Sequence, residues 1–233
     1  MAILLFPPRC PLCDRVVDVR FPGICGSCRS MQESLGLLVK EPACKKCGKP
    51  LEDSTEEYCA DCRKKPHSFR QGRAAWVYRG PCKSALYRFK YGNRRCYAPV
   101  LAQELWKSCG GWVKRKAPDV IVPVPLHRKK QRERGYNQAA LLSGELSRLC
   151  GIPVREGLLY RKVYTRPLKE LSEGQRHREL KHAFRVHTRG GIPERVLLVD
   201  DIYTTGSTAD VCAFALREAG VEEVYVLCMC IGR

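Results

Sequence analysis

The chain has 233 residues, of which 44% are hydrophobic and 28% are charged, a composition typical of a globular protein with a sizeable core. No window reaches the ~20 apolar residues that a membrane span requires. The apolar residues at 1–6 end at Pro7 and have no basic residue before them, unlike a secretory signal. We therefore expect no membrane insertion, no export and a reducing, cytoplasmic location.

Basic residues are concentrated in the carboxyl-terminal two thirds of the chain. The formal net charge is +18, and residues 73–233 carry 30 basic and 15 acidic side chains, against 12 and 9 in residues 1–72. Such a surplus favours an anionic partner, either nucleic acid or a phosphorylated small molecule. A solvated surface that only confers solubility is the alternative, and the charge alone does not decide between them.

Eight cysteines near the amino terminus form two copies of one unit, C-x2-C-x11-C-x2-C. Two C-x2-C turns supply the four thiolates of a tetrahedral zinc site, which leaves no coordination position open for a substrate. We therefore predict two structural zinc ions whose binding contributes folding free energy. An iron–sulfur cluster, and pairing of ligands across the two units, remain alternatives. The predicted ligands are Cys10, Cys13, Cys25, Cys28, Cys44, Cys47, Cys59 and Cys62.

Seven further cysteines have no spacing typical of a metal site. In a reducing environment a free cysteine most often behaves as a small buried hydrophobic residue, and we expect that role for all seven. They are Cys82, Cys96, Cys109, Cys150, Cys212, Cys228 and Cys230.

After the cysteine array, apolar runs alternate with helical patterns. This alternation predicts an α/β fold in which helices flank a parallel sheet. The polar stretch 64–72, which contains Pro66, predicts a boundary between a domain of residues 1–66 and a domain of residues 73–233. In chain order, we predict a strand at 76–78, helices near 82–90 and 97–108, a strand at 120–124, a helix at 136–150, a strand at 196–199, a helix at 207–219 and a strand at 223–230.

The clearest chemical motif is R-V-L-L-V-D-D-I-Y-T-T-G-S-T at residues 195–208. Its apolar run, 196–199, is typical of a buried parallel strand, and a loop of small hydroxylated residues follows before a helix. Free N–H groups at the start of that helix form an anion site, to which the hydroxyl groups add donors. The expected phosphate-binding residues are Thr204, Thr205, Gly206, Ser207 and Thr208.

Asp200 and Asp201 stand beside this loop although carboxylates repel phosphate. A sugar explains the combination, because two carboxylates can accept hydrogen bonds from vicinal ribose hydroxyls or hold Mg²⁺ through water. The motif is not a Walker sequence, since it contains no Gly-Lys-Ser/Thr. Capping of the next helix by the acidic pair is the structural alternative.

These residues closely resemble the phosphoribosyl-diphosphate (PRPP) signature of type I phosphoribosyltransferases. The chain as a whole resembles the ComF family, which joins an amino-terminal zinc ribbon to that fold and is associated with DNA uptake in naturally competent bacteria. The resemblance rests on the doubled cysteine unit, on the PRPP segment, on R-F-K-Y-G-N-R-R at 88–95, on V-P-V-P-L-H at 122–127 and on R-E-R-G-Y-N-Q at 132–138.

The resemblance implies a type I phosphoribosyltransferase-like sheet with an amino-terminal double zinc ribbon, and it implies roles for particular residues. Asp200 and Asp201 match the acidic pair on the ribose, and the loop 204–208 matches the 5′-phosphate loop. The turn that begins at Pro123 matches the loop that receives pyrophosphate. Magnesium is then expected to accompany PRPP.

The basic groups of the second domain are expected to offset the charge of PRPP. Arg132 and Arg134, with Lys90 nearby by analogy, are the residues we expect to bind pyrophosphate or an anionic second ligand. Catalysis consists mainly of electrostatic stabilisation of the leaving group, so both arginines join the acidic pair as expected catalytic residues. The run 128–130 tracks a nucleic-acid backbone or, equally well, forms a solvated face.

Residues 161–184 match the hood of the fold, and Ser172 with Gln175 predicts a capping box that starts a helix inside it. Thr204 stands where relatives that use oxopurines carry a carboxylate, which argues against such a substrate.

Three functions follow from this sequence. The first is a PRPP-binding phosphoribosyltransferase linked to DNA uptake, with an unknown acceptor. The second is a non-catalytic protein that senses PRPP or another phosphate ligand and binds single-stranded DNA through its basic surface. The third, an adaptor with a catalytically dead second domain, is disfavoured by the intact acidic pair. Other competence proteins, such as a DNA-translocating helicase, are the partners that the resemblance implies.

Overall fold

The computed structural model describes residues 7–20, 22–162 and 183–232. Its strands are β1 (Gln71–Val77), β2 (Val120–Pro123), β3 (Leu159–Arg161), β4 (Phe184–Val186), β5 (Arg195–Tyr203) and β6 (Glu223–Ile231). Its helices are α1 (Gly26–Ser34), α2 (Ala60–Lys64), α3 (Gly80–Tyr91), α4 (Ala98–Lys116), α5 (Arg128–Arg134), α6 (Gln138–Cys150) and α7 (Ser207–Glu218), with a 3₁₀ turn over Arg95–Tyr97.

Four strands form one parallel sheet in the order β1-β6-β5-β2. The central strands β5 and β6 consist largely of buried residues, as expected where helices cover both faces of a sheet. Parallel pairing brings the carboxyl ends of all four strands to the same edge, where the loop 204–208 begins. The predicted parallel sheet with flanking helices is confirmed.

The sheet separates two hydrophobic clusters, because alternate residues of β5 point to opposite faces. Leu197 and Val199 pack with α3, α4 and α6, whereas Val196 and Leu198 pack with α7. Each face also receives one of the two cysteine units. Cys10 and Cys28 of the first unit belong to the α4 side; on the α7 side, the second unit contributes Cys44, Cys47 and Cys59.

The chain passes between the two faces along the free edge of β1. The Val39 N–H donates to the Ala75 carbonyl over 2.9 Å, and the Val77 N–H donates to the Leu37 carbonyl over 2.8 Å. These bonds cover an edge strand that would otherwise expose unpaired backbone groups. The boundary predicted at 64–72 stays a prediction, but this segment is packed against the sheet, since Phe69 is 1% exposed.

Two features differ from the sequence prediction or extend it. Helix α5 was not predicted, because all seven of its residues are charged or polar and show no apolar period. Strands β3 and β4 form a small antiparallel hairpin at the two ends of the predicted hood, and residues 163–182, with the predicted capping box, lie outside the described residues. Among the described residues, no helix combines the length and apolar character needed to cross a membrane.

The expectation for the seven additional cysteines is correct for five of them and wrong for Cys96. Cys96 is exposed, because the 3₁₀ turn that carries it buries Tyr97 instead. Cys150, the last residue of α6, is half-buried. The buried ones are Cys82, Cys109, Cys212, Cys228 and Cys230.

Candidate functional site

The loop 204–208 forms a cradle between the end of β5 and the start of α7. Gly206 is the N-cap of α7 and has a positive φ of 76°, so the chain turns sharply enough to aim the first N–H groups of the helix into the loop. The Thr205 and Ser207 hydroxyls lie 2.9 Å apart. All five predicted phosphate-binding residues, together with Asp200, line one cavity of about 410 Å³.

Tyr203 forms the floor of this loop. The ring of Tyr203 is 5% exposed, and a Cβ placed on Gly206 would lie 2.9 Å from its Cε2 atom and closer still to its hydroxyl. Residue 206 is therefore restricted to glycine both by its backbone conformation and by the tyrosine beneath it. The sequence marked the glycine but not the tyrosine.

Asp200 and Asp201 diverge, as adjacent residues of a strand must. Asp200 lines the loop cavity, while Asp201 faces α3 and pairs with Lys90, with 3.0 Å between Nζ and Oδ1. The Asp201 N–H also donates to Asp200 Oδ1 over 2.8 Å. The acidic pair does not cap α7, whose N-cap is Gly206 without a side-chain hydrogen bond, so the capping alternative is wrong.

Burial and charge both act on this cluster. Burial, and next the negative charge of Asp201, raises the pKa of Asp200 to about 8. Burial lowers the pKa of Lys90, but the charges of Asp201 and Asp200 outweigh burial and leave that pKa raised. A second negative charge beside Asp201 is therefore disfavoured until a ligand brings a cation that offsets it, while hydroxyl donors can bond to the oxygens of either carboxyl group.

A second, cationic cavity of about 500 Å³ adjoins the acidic pair through Lys90. Arg132 and Arg134, which the sequence grouped with Lys90 by analogy, line this same cavity. Arg134 donates to Gln138 Oε1 over 2.6 Å and lies 4.9 Å from the Tyr91 ring centroid. Its complete lining is Lys90, Tyr91, Asn93, Arg95, Lys130, Arg132, Glu133, Arg134 and Gly135.

Arg95 was not singled out from the sequence, although it lies in the R-F-K-Y-G-N-R-R motif. Its guanidinium donates to the Gly135 carbonyl over 3.3 Å and lies 4.7 Å from the Tyr136 ring centroid. Arg95 therefore joins the turn after α5 to the turn after α3. The basic run 128–130 is divided between cavities, since Lys130 lines the cationic cavity and Arg128 a neighbouring one.

The turn after β2 is held by Asn137. The Asn137 side chain donates to the Val124 carbonyl over 3.0 Å, and its oxygen accepts the Ala139 N–H at the start of α6. Pro123 lines a cavity of about 750 Å³ under the β3–β4 hairpin rather than either cavity beside the acidic pair. His127 caps α5, because its Nδ1 accepts the Lys129 N–H over 3.2 Å.

The two cysteine units each bring four Sγ atoms together, and the question of ligand pairing is resolved within each unit. In both groups the four Sγ atoms lie within 4.8 Å of one another. The Sγ separations of 3.7 Å between Cys13 and Cys25, and between Cys47 and Cys59, fit four thiolates at ~2.3 Å from one tetrahedral ion. These residues fit structural zinc, which would add folding free energy to each unit.

Comparisons with known proteins matched one family model and several solved structures. Residues 1–63 match the family described as Double zinc ribbon domain. The solved structures that align with the chain include a purine phosphoribosyltransferase from Pyrococcus horikoshii (19% identity, 56% of this chain and 73% of that one, TM-score 0.38). They also include a glutamine PRPP amidotransferase from B. subtilis (21% identity, 60% of this chain and 30% of that one, TM-score 0.40).

Relatives match over nearly the whole length. The DNA utilization protein YhgH of Escherichia coli K12 is 30% identical over 98% of this chain and 99% of its own length. Competence protein ComFC of Bacillus subtilis 168 is 29% identical over 84% of this chain and 79% of its own length. Competence protein F of Haemophilus influenzae is 34% identical over 94% of both chains. On this evidence, with the doubled cysteine unit and the parallel sheet in one chain, the protein belongs to the ComF family.

Proposed function

We propose that this ComF-family protein binds PRPP with Mg²⁺ at the carboxyl edge of its sheet. One observation carries the proposal: the phosphate loop, the acidic pair and the cationic cavity are contiguous, since Asp200 lines the loop cavity and Asp201 contacts Lys90 of the cationic one. PRPP presents the matching sequence of groups, a 5′-phosphate, a ribose with vicinal hydroxyls and a pyrophosphate.

The assignment of groups follows the charges. The 5′-phosphate lies in the loop 204–208, where helix N–H groups and hydroxyls donate to it. The ribose hydroxyls donate to Asp200 and Asp201. Lys90, Arg132 and Arg134 neutralise the pyrophosphate, and Mg²⁺ supplies further positive charge beside the acidic pair.

The same arrangement supports transfer of the phosphoribosyl group to an acceptor. The bond between the anomeric carbon and pyrophosphate breaks, a bond to the acceptor nucleophile forms, and the acceptor loses a proton. The cations of the cationic cavity stabilise the charge that grows on the leaving pyrophosphate. The acceptor is unassigned, so a protein that only senses PRPP uses the same groups without turnover.

Calorimetric titration of the zinc-loaded chain with PRPP and Mg²⁺ tests this proposal. We expect saturable, Mg²⁺-dependent binding that the double variant Asp200→Asn, Asp201→Asn abolishes, because each carboxylate loses its charge and exchanges one acceptor oxygen for an NH₂ donor. Asp119→Asn is the matched control, since Asp119 pairs with Arg195 at the opposite end of β5. Unchanged affinity in the folded double variant would contradict the proposal. Pyrophosphate release, measured with and without candidate acceptors and single-stranded DNA, separates a transferase from a sensor.

A second candidate function is binding of single-stranded DNA through the basic surface. Two observations favour it: several relatives are named as competence or DNA utilization proteins, and residues 128–134 form one helix with the sequence R-K-K-Q-R-E-R. We propose a cytoplasmic protein with other competence proteins, such as a DNA-translocating helicase, as partners.

Salt dependence tests direct DNA binding. Each lost phosphate contact lowers the slope of log affinity against log salt by about 0.7 for a single strand. Charge reversal at Arg128, Lys129 and Lys130 should therefore flatten the slope by about two. Reversal of the basic residues at 114–116, at the end of α4, is the matched control and should leave the slope unchanged. Absence of salt-dependent binding in the unmodified chain would exclude this candidate.

A further inference from the structure

The two cysteine units lie on opposite faces of the sheet, and each is adjacent to a different part of the proposed ligand site. The second unit shares a hydrophobic cluster with Tyr203, the floor of the phosphate loop. The first unit shares the other cluster with Phe89, which precedes Lys90 of the cationic cavity. Neither relation is expected of a ribbon that serves only as a separate docking module.

Phe69 connects the second unit to the phosphate loop. Lys46, which lies between two cysteines of that unit, is 5.3 Å from the Phe69 ring centroid, and its carbonyl accepts the Gly72 N–H over 2.6 Å. Phe69 also meets Tyr203 edge-on, with 6.2 Å between ring centroids and 88° between ring planes. Because Tyr203 packs directly beneath Gly206, a shift of Phe69 moves the floor of the loop.

A second contact from the same segment holds the helix that follows the loop. Asp210 lies in the first turn of α7 and is 2% exposed, and its Oδ1 accepts the Ser68 N–H over 2.6 Å. His67 Nδ1 lies 3.6 Å from the same oxygen. Residues 67–69 therefore touch both the loop floor and the start of the helix whose N–H groups face the phosphate.

Asp14 connects the first unit to the cationic cavity. The Asp14 carboxylate accepts hydrogen bonds from Arg94 over 2.7 Å and from the Tyr97 hydroxyl over 2.6 Å. Arg88 reaches the same unit, donating to the carbonyls of Pro11 and Leu12 over 2.9 and 2.8 Å. Arg88 and Tyr97 flank the turn 90–95 and Arg94 lies within it. This turn supplies Lys90, Tyr91, Asn93 and Arg95 to the cavity.

We infer that each cysteine unit positions one half of the ligand site: the second unit orders the 5′-phosphate loop through Phe69, and the first orders the pyrophosphate-binding turn through Asp14. The identity of the two ligand halves rests on the proposed function. Phe69 and Asp14 touch no ligand themselves and are positioning residues. Structural zinc then acts on ligand binding indirectly, by fixing the parts of each unit that these two residues contact.

Two variants of the full-length, zinc-loaded chain, each titrated with both of two probe ligands, test the inference. Ribose 5-phosphate reports on the loop and inorganic pyrophosphate on the cationic cavity. Phe69→Leu should lower the affinity for ribose 5-phosphate by about tenfold, because small misplacements of binding groups greatly weaken binding. The affinity for pyrophosphate should change by less than about twofold. Asp14→Asn should give the opposite pattern. Equal weakening of both probes in either variant would overturn the inference.

Hydrogen exchange without ligand gives a second readout. Phe69→Leu should increase amide exchange in the loop 204–208 but not in the turn 90–95, and Asp14→Asn should do the reverse. Two zinc ions per chain together with a cooperative thermal transition confirm that each variant is folded. Asp210→Asn replaces Phe69→Leu if the latter fails either measurement. If the unmodified chain binds neither probe, the proposed function is wrong. Hydrogen exchange in the two variants then still tests whether each cysteine unit orders its own segment. Unchanged exchange in the targeted segments overturns it.

Discussion

The cysteine array and the proposed ligand site are built by different means. Each group of four cysteines comes from one continuous stretch of 19 residues, for example Cys10 to Cys28, and the spacing alone brings its thiolates together. The ligand site instead combines Lys90, Arg134 and Asp200 from three separated segments. A local site can be predicted from residue spacing, and it no longer binds its metal when one ligand is lost. An assembled site depends on the packing that holds its separate segments in position.

Loss of one zinc ligand should have the largest effect. Binding of structural zinc contributes roughly 10 kcal/mol or more to folding, which equals or exceeds the usual net stability of a domain. We expect Cys28→Ser or Cys44→Ser to reduce bound zinc from two ions to one per chain and to abolish the cooperative thermal transition. Cys96→Ser is the matched control, because Cys96 is exposed and outside both groups. Two zinc ions and an unchanged transition in Cys44→Ser would refute the local character of the array.

Alanine substitutions at two glycines test how much packing restricts the assembled site. Gly206 and Gly135 have nearly the same positive φ, 76° and 77°. A Cβ at Gly206 meets the buried Tyr203 ring, whereas one at Gly135 meets only the end of the Arg95 side chain. Gly135→Ala should therefore lower the free energy of unfolding by about 1 kcal/mol, from backbone strain. Gly206→Ala should lower it by about 3 kcal/mol, because overpacking against Tyr203 adds to that strain. Urea unfolding measures both, and equal losses would show that Tyr203 does not restrict the loop.

The stability contributed by two aspartates, the half-buried Asp200 and the buried Asp210, should respond to pH with opposite sign. The pKa of Asp200 is raised to about 8 in the folded chain, whereas it is about 4 in the unfolded chain. The free energy of unfolding therefore decreases as the pH rises from about 4 to 8. Asp200→Asn should therefore stabilise the chain by about 1–3 kcal/mol at pH 8 and by little at pH 4.

Asp210 provides the contrast. Burial raises its pKa, but His67 and the Ser68 N–H outweigh burial and leave it lowered, so the ionised carboxylate stabilises the fold above pH 4. Asp210→Asn should destabilise the chain by about 1 kcal/mol at pH 7, and the loss should shrink as the pH falls toward 3. Thermal melts across this pH range compare both variants; the same sign of change at pH 8 would show that one environment is misassigned.

Much of the fold was predictable because its signals are local. The apolar run of β5, the glycine at position 206 and the paired cysteines each carry their meaning within a few residues, and all were located correctly. Helix α5 was missed because a short charged helix has no apolar period to reveal it. The exposure of Cys96 was missed because composition does not say which side of a turn faces the core.

The amino-acid sequence alone predicted the two groups of metal ligands, the alternation of strands and helices along the chain, and the segment proposed to bind a phosphate and a sugar. Tertiary structure decided that Asp200 and Asp201 face different cavities, that Arg95 joins the cationic one, and which parts of the chain support the loop. The Ser68–Asp210 hydrogen bond joins residues 142 positions apart. Contacts at such separation depend on how whole elements pack, and no local pattern of residue types encodes them.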